Sequence, residues 1–108
     1  MKLAAIVSVL LVPFHQKAPR HYNSTMTPMA WCVSGLESNH DFQAATGNGY
    51  YGGYQFDVRT WLFAQRLMGV WYAARADWAS VAQQTAVFNY YEPRNPGAWP
   101  WTVPACGG

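Results

Sequence analysis

Thr46-Gly47-Asn48-Gly49-Tyr50-Tyr51-Gly52-Gly53-Tyr54-Gln55-Phe56 sets four glycines and an Asn-Gly pair among four aromatic side chains. Glycine reaches left-handed backbone angles without steric cost, and Asn-Gly is a strong tight-turn signal. The stretch therefore reads as tight turns joined by short extended segments, not as helix. Working outward, Asp57 follows as a helix cap, opening a helix through Trp61, Leu62 and Leu67 with Gly69 as its stop. Upstream, Thr27-Pro28 pairs a cap with a proline at the first helical position, where its missing amide is harmless. This predicts a helix from Pro28 to about Ser38 carrying Trp31, Cys32, Leu36 and Glu37; Gly35 weakens it but permits close packing. Downstream, Ser80 and Gln83 form a capping box for a helix through Val87, Phe88 and Tyr91, expected to end before Pro93. The tail from Asn95 to Pro104 holds three prolines and two tryptophans and reads as an irregular strap over the core. The fold class is α+β, mainly helical: one small domain over residues 28–108 with a short Gly/Tyr-rich extended segment.

The chain has 108 residues, of which 51% are hydrophobic, 17% aromatic and 11% charged. That is too apolar for disorder. Seven scattered Lys and Arg give a net charge of +2 without a basic run, which argues against nucleic acid as a partner. At the N-terminus, Lys2 precedes an apolar stretch from Leu3 to Val12 broken by Ser8. It is shorter than the roughly 20 residues a membrane span needs. It matches the apolar core of a secretory signal, yet Pro13, Phe14, His15, Gln16 and Lys17 stand where a small-residue cleavage site belongs. Residues 1–14 are read as a signal peptide or an apolar arm, and residues 15–27 as a linker.

Acid/base chemistry has five carboxylates to choose from: Glu37, Asp41, Asp57, Asp77 and Glu92. Asp57 reads as a cap, Asp41 as a loop residue, Asp77 as part of a connection and Glu92 as a helix end. Glu37 stands apart, near a helix end and flanked in sequence by Trp31, Leu36 and Phe42. A carboxyl within apolar walls can keep its proton and protonate a glycosidic oxygen. Flat aromatic rings also suit the apolar faces of sugars. The even cysteine count favours one disulfide, Cys32 to Cys106, which closes a loop worth roughly 4 kcal/mol in the chain-entropy model. A Cys32–His40 nucleophile and base is the competing use. Two Cys and three dispersed His show no metal-ligand spacing.

Glu37-Ser38, the run Thr46 to Phe56, Thr60-Trp61, Ala79-Ser80, Gln83-Gln84, Ala86-Val87, Gly97-Ala98-Trp99-Pro100 and Ala105-Cys106 together resemble the catalytic domain of the resuscitation-promoting factors of actinobacteria. These are transglycosylase-like, lysozyme-fold domains that act on peptidoglycan. The resemblance extends from about Trp31 to Cys106. It implies that Glu37 is the catalytic acid, that Gln55 and Thr60 line the substrate groove, and that Tyr50, Tyr51 and Trp61 lie on or beneath its floor. Gly47, Gly49, Gly52 and Gly53 match turns that need unusual backbone angles or close approach.

The departures are local. The family's cysteine immediately precedes the Glu, whereas Cys32 lies one helical turn earlier, on the same face. Trp101-Thr102-Val103-Pro104 is inserted before Ala105-Cys106 and supplies reach for a shifted disulfide. Asn39-His40 stands where the family has two glycines, Leu62 to Asp77 diverges, and Asn89-Tyr90 replaces a charged pair. The resemblance implies cleavage of the β-1,4 bond between N-acetylmuramic acid and N-acetylglucosamine by one Glu, lytic transglycosylase-like, without a cofactor or metal. A hydrolytic muramidase and a non-catalytic peptidoglycan-binding module are the alternatives. The expected partner is the peptidoglycan glycan strand, met by a monomer that is secreted, cell-wall associated or delivered by a virion.

Overall fold

The computed structural model describes residues 21–108. The apolar segment 1–14 and the first part of the linker lie outside the described residues. Helix α1 spans Pro28–Ser38, with the Thr27 side chain accepting from the Ala30 amide. Helix α2 spans Val58–Met68; Asp57 caps it by accepting from the Thr60 amide, and Gly69 ends it in the left-handed conformation. After a single 3₁₀ turn over Ala76–Trp78, the Ser80/Gln83 capping box opens α3, Val81–Arg94. A one-turn helix α4, Thr102–Ala105, closes the chain. The extended part reduces to two isolated antiparallel bridges, Ala45–Tyr51 and Tyr51–Phe56.

Two expectations are corrected. Helix α3 does not stop before Pro93 but continues to Arg94. A proline this close to a helix end removes one amide, and side chains cover the last carbonyls instead. The Arg94 guanidinium donates to the Tyr90 carbonyl at 2.8 Å and the Asn95 amide to that of Tyr91 at 3.0 Å. The tail, expected to be irregular throughout, coils at α4 because Val103 inserts into the core and Cys106 is bonded to α1.

The core is aromatic. Phe88 stacks on Tyr54 with centroids 4.4 Å apart, and Trp99 meets Phe88 and Phe56 edge-on at 4.8 and 5.3 Å. Phe56 in turn meets Trp61 at 5.4 Å. Such pairs add about 0.5–1.5 kcal/mol each beyond area burial. Two buried glutamines secure the connections. The Gln84 side chain accepts from the Gly53 amide at 2.9 Å and donates to the Phe42 and Ala79 carbonyls at 2.9 and 3.0 Å. Gln65 accepts from the Tyr72 and Ala73 amides and donates to the Ala73 carbonyl. Burial pushes the Tyr54 phenol up to about 12, against the opposing pull of its bond to Thr85.

The end of the expected linker is docked on the domain. Tyr22 donates to the Met68 carbonyl and meets Tyr90 edge-on. Asn89 donates to the carbonyls of Asn23 and Thr25 at 2.8 and 2.9 Å, and Met26 packs against the core. Asn89-Tyr90, divergent in the sequence, thus receives the incoming chain. Cys32 and Cys106 are joined across 74 residues, holding the tail on the helix that carries Glu37. No helix among the described residues is long and apolar enough to cross a membrane.

Candidate active site

Glu37 occupies the last turn of α1. The turn that follows is unusual: Asn39 and His40 both adopt left-handed angles, φ 56° and 61°. That conformation costs a side-chain-bearing residue about 1–2 kcal/mol. Here it is offset locally. The Asn39 and His40 amides donate to the Gly35 and Ser34 carbonyls at 2.9 and 3.0 Å. The His40 ring stacks on Trp31 with centroids 3.6 Å apart, and its Nε2 lies 2.9 Å from the Trp31 carbonyl, so Nε2 is the protonated nitrogen. Gly35 makes room for this ring, since a Cβ there would approach it to 3.0 Å. Ser38 donates to the Gly53 carbonyl at 2.8 Å, tying the end of α1 to the glycine-rich segment.

A cleft of about 640 Å³ opens beside Glu37. Asn48, Tyr50, Gln55, Phe56 and Asp57 reach it from the glycine-rich segment, and Thr60 from the first turn of α2. Tyr91 of α3 and the tail residues Ala98 to Trp101 complete the lining. Gln55 sits at φ 58°, a left-handed angle that a side-chain-bearing residue keeps only when its surroundings impose it. Its side chain donates to the Gly52 carbonyl at 2.9 Å, and its oxygen is within 3.4 Å of the Asn48 amide. Thr102 donates to Glu37 Oε2 at 2.8 Å.

Of the six side chains proposed from sequence for the site, Glu37, Tyr50, Gln55 and Thr60 line this cleft. Trp61 and Tyr51 do not. Trp61 is wholly buried beneath Phe56 and donates to the Ala73 carbonyl at 2.8 Å. Tyr51 pairs its backbone with Phe56 and turns its ring under the Arg75 guanidinium, 4.2 Å from the centroid. The apolar walls also differ from expectation. Trp31 and Leu36 are exposed and Phe42 packs against Tyr54, while Tyr50, Phe56, Trp99 and Trp101 border the cleft.

The structure adds residues that sequence reasoning passed over. Asp57 both caps α2 and lines the cleft. Asp77 instead forms a two-pronged pair with Arg75, which holds its carboxyl below the usual aspartate range. Thr102 and Trp101 belong to the tail, in the stretch read from sequence only as extra length before Ala105-Cys106.

A family profile described as a transglycosylase-like domain matches residues 22–102. The resuscitation-promoting factor RpfB of Mycolicibacterium smegmatis is 37% identical over 89 residues, covering 82% of this chain and 23% of that protein. The chain therefore spans about a quarter of that relative's length. With a match that begins at the docked Tyr22 and runs through the cleft to Thr102, the chain belongs to the transglycosylase-like family, as a catalytic domain of the resuscitation-promoting-factor type.

Proposed function

We propose that this chain is a muralytic glycosidase. It cuts the β-1,4 bond between N-acetylmuramic acid and N-acetylglucosamine in peptidoglycan, as a monomer outside the cell or at the wall, with Glu37 as general acid and then base. The observation that carries the reading is the grouping of Glu37 with Gln55, Thr60 and Tyr50 in one open cleft, with a hydroxyl rather than a cation on the carboxylate. Among the described residues the ion pair is Arg75–Asp77, away from the cleft.

Glu37 gives its proton to the bridging oxygen as the bond to the muramic acid C1 breaks, and N-acetylglucosamine leaves with a 4-hydroxyl. Charge at C1 is oxocarbenium-like, and the substrate's 2-acetamido group can meet it. The Glu37 carboxylate then takes the proton from the muramic acid 6-hydroxyl as O6 bonds to C1, giving a 1,6-anhydro end. Gln55 and Thr60 supply hydrogen-bonding groups for the sugar, and Tyr50 a flat apolar face.

Asp57 favours a second reading, hydrolysis. A second carboxylate in the same cleft can activate water or meet C1 directly. Digestion of purified peptidoglycan separates the two. Replacing Glu37 by Gln keeps the shape and should slow release at least about a hundredfold, the usual share of a general acid. A variant as fast as wild type would overturn Glu37 as the acid, and no release by either protein would leave a binding module. Anhydro-muramic ends, read by mass spectrometry, support the ring-closing route; reducing ends with a loss of rate in Asp57→Asn support hydrolysis.

A further inference from the structure

We propose that the tail segment Trp101–Thr102 is a working part of the cleft. Thr102 is a positioning residue for Glu37, and Trp101 is a sugar-stacking platform beside it. The proposal rests on the reading of Glu37 as the acid.

The Thr102 hydroxyl reaches the Glu37 carboxylate from 65 residues away, at 2.8 Å from Oε2. Among the described residues it is the one hydrogen bond that the carboxylate receives. A glutamate side chain has three rotatable bonds, and a general acid must present its proton within hydrogen-bond reach of the bridging oxygen. A hydroxyl fixed on Oε2 removes most of that freedom and leaves Oε1 to carry the proton into the cleft. Orientation of this kind supports the chemical step rather than substrate capture.

Trp101 is 84% exposed, whereas Trp99, two residues earlier, is 6% exposed. Both border the cleft, so one indole forms its base and the other stands open to solvent. An indole left in water forfeits the burial that its area would otherwise gain. A pyranose ring laid on it recovers that burial. The segment is anchored on both sides. Before it, the Trp99 indole donates to the Tyr54 carbonyl at 2.8 Å; after it, Val103 is buried and Cys106 is bonded to α1. Residues 100–102 are thereby a short bridge held against the helix end that bears Glu37.

Initial rates on soluble glycan strands freed of peptide, across substrate concentration, test both roles. Thr102→Val should lower kcat about tenfold with KM little changed, and Thr102→Ser should restore most of it. Trp101→Ala should raise KM about fivefold with kcat nearly held, and Trp101→Tyr should recover part of the loss. Binding of the same strands to Glu37→Gln, followed by tryptophan quenching, gives a readout free of turnover: adding Trp101→Ala should weaken it by a similar factor. Wild-type kcat in Thr102→Val, or no rescue by Ser, overturns the positioning role. Unchanged KM and binding in the Trp101 variants overturn the platform. An active wild type with a dead Glu37→Gln, an unaffected Thr102→Val and unaffected Trp101 variants sinks this inference and leaves the proposed function standing. A Glu37→Gln protein as fast as wild type sinks both.

Discussion

The glycine-rich segment and the C-terminal tail wall the same cleft, but different forces hold them. The segment from Ala44 to Phe56 is fixed through its own backbone. Gly52 donates to the Ala44 carbonyl at 2.9 Å, Tyr51 and Phe56 exchange amides, and buried Gln84 takes the Gly53 amide. Gly52 adopts φ 79°, and a Cβ there would fall 2.4 Å from the Gln84 side-chain oxygen, so both conformation and space demand glycine. The tail has one four-residue helix and relies on ties over long range: the Trp99 indole on Tyr54, Thr102 on Glu37 and the Cys32–Cys106 bond. One wall is specified by conformation, the other by cross-links. The first leaves a dense local pattern in the sequence, and the second leaves a few residues whose partners lie far away.

Removing the cross-link should have the largest effect. Replacing Cys32 and Cys106 together by Ala reopens a loop of 74 residues in sequence separation. This should lower unfolding free energy by about 4 kcal/mol in urea denaturation. A domain of this size has only about 5–15 kcal/mol in all. Hydrogen exchange on the double variant sharpens the contrast: residues 99–108 should lose protection by local opening while the Gly52 and Gly53 amides keep more of theirs. Equal loss in both would show that the two walls form one cooperative unit.

The converse change is Gln84→Leu. It keeps the volume but strands the Gly53 amide and the Phe42 and Ala79 carbonyls. Unpaired buried groups cost about 1–3 kcal/mol each, and partial rearrangement should leave a net loss of about 3 kcal/mol by urea denaturation. Here the glycine-rich wall should lose exchange protection first. A loss below about 1 kcal/mol would mean that its own turns, not the buried amide, hold it.

The same contrast explains what was legible in the sequence. Thr27, Asp57 and Ser80 cap helices through atoms three residues away, so the starts of α1, α2 and α3 follow from composition alone. Gln55 sits in the specified wall and Thr60 in the first turn of the helix that follows it, and both could be matched position by position to a known motif. Trp61 shares that motif, yet its direction is fixed by the Ala73 carbonyl in a divergent connection with no pattern of its own. The docking of Tyr22 to Met26 hid for the same reason: Asn89 finds its carbonyl partners 64 and 66 residues back. Thr102 was closer to view than it looked. Cys106 stands four residues after it and Cys32 five before Glu37. An antiparallel approach of the two bonded helices brings 102 to 37, but that direction is tertiary and no local preference encodes it.

The smallest effect concerns how the specified wall is backed. Arg75 lies over the Tyr51 and Trp78 rings, 4.2 and 4.4 Å from their centroids, and is aimed by its two bonds to Asp77. That hydrogen-bonded pairing holds the Asp77 carboxyl below its ordinary value, against the opposing effect of its burial. A lowered folded-state value means that the unfolded chain takes up the proton first. The contribution is therefore complete above the usual aspartate range of about 4 and is lost as pH falls through the lowered value. Unfolding free energies from urea curves for wild type and Asp77→Asn should differ only slightly at pH 7, since Arg75 is partly in water and the pair is screened, and should converge as pH falls below the usual aspartate range. A gap that persists unchanged in acid would assign the role of Asp77 to shape rather than charge, leaving the wall behind Tyr51 dependent on packing alone.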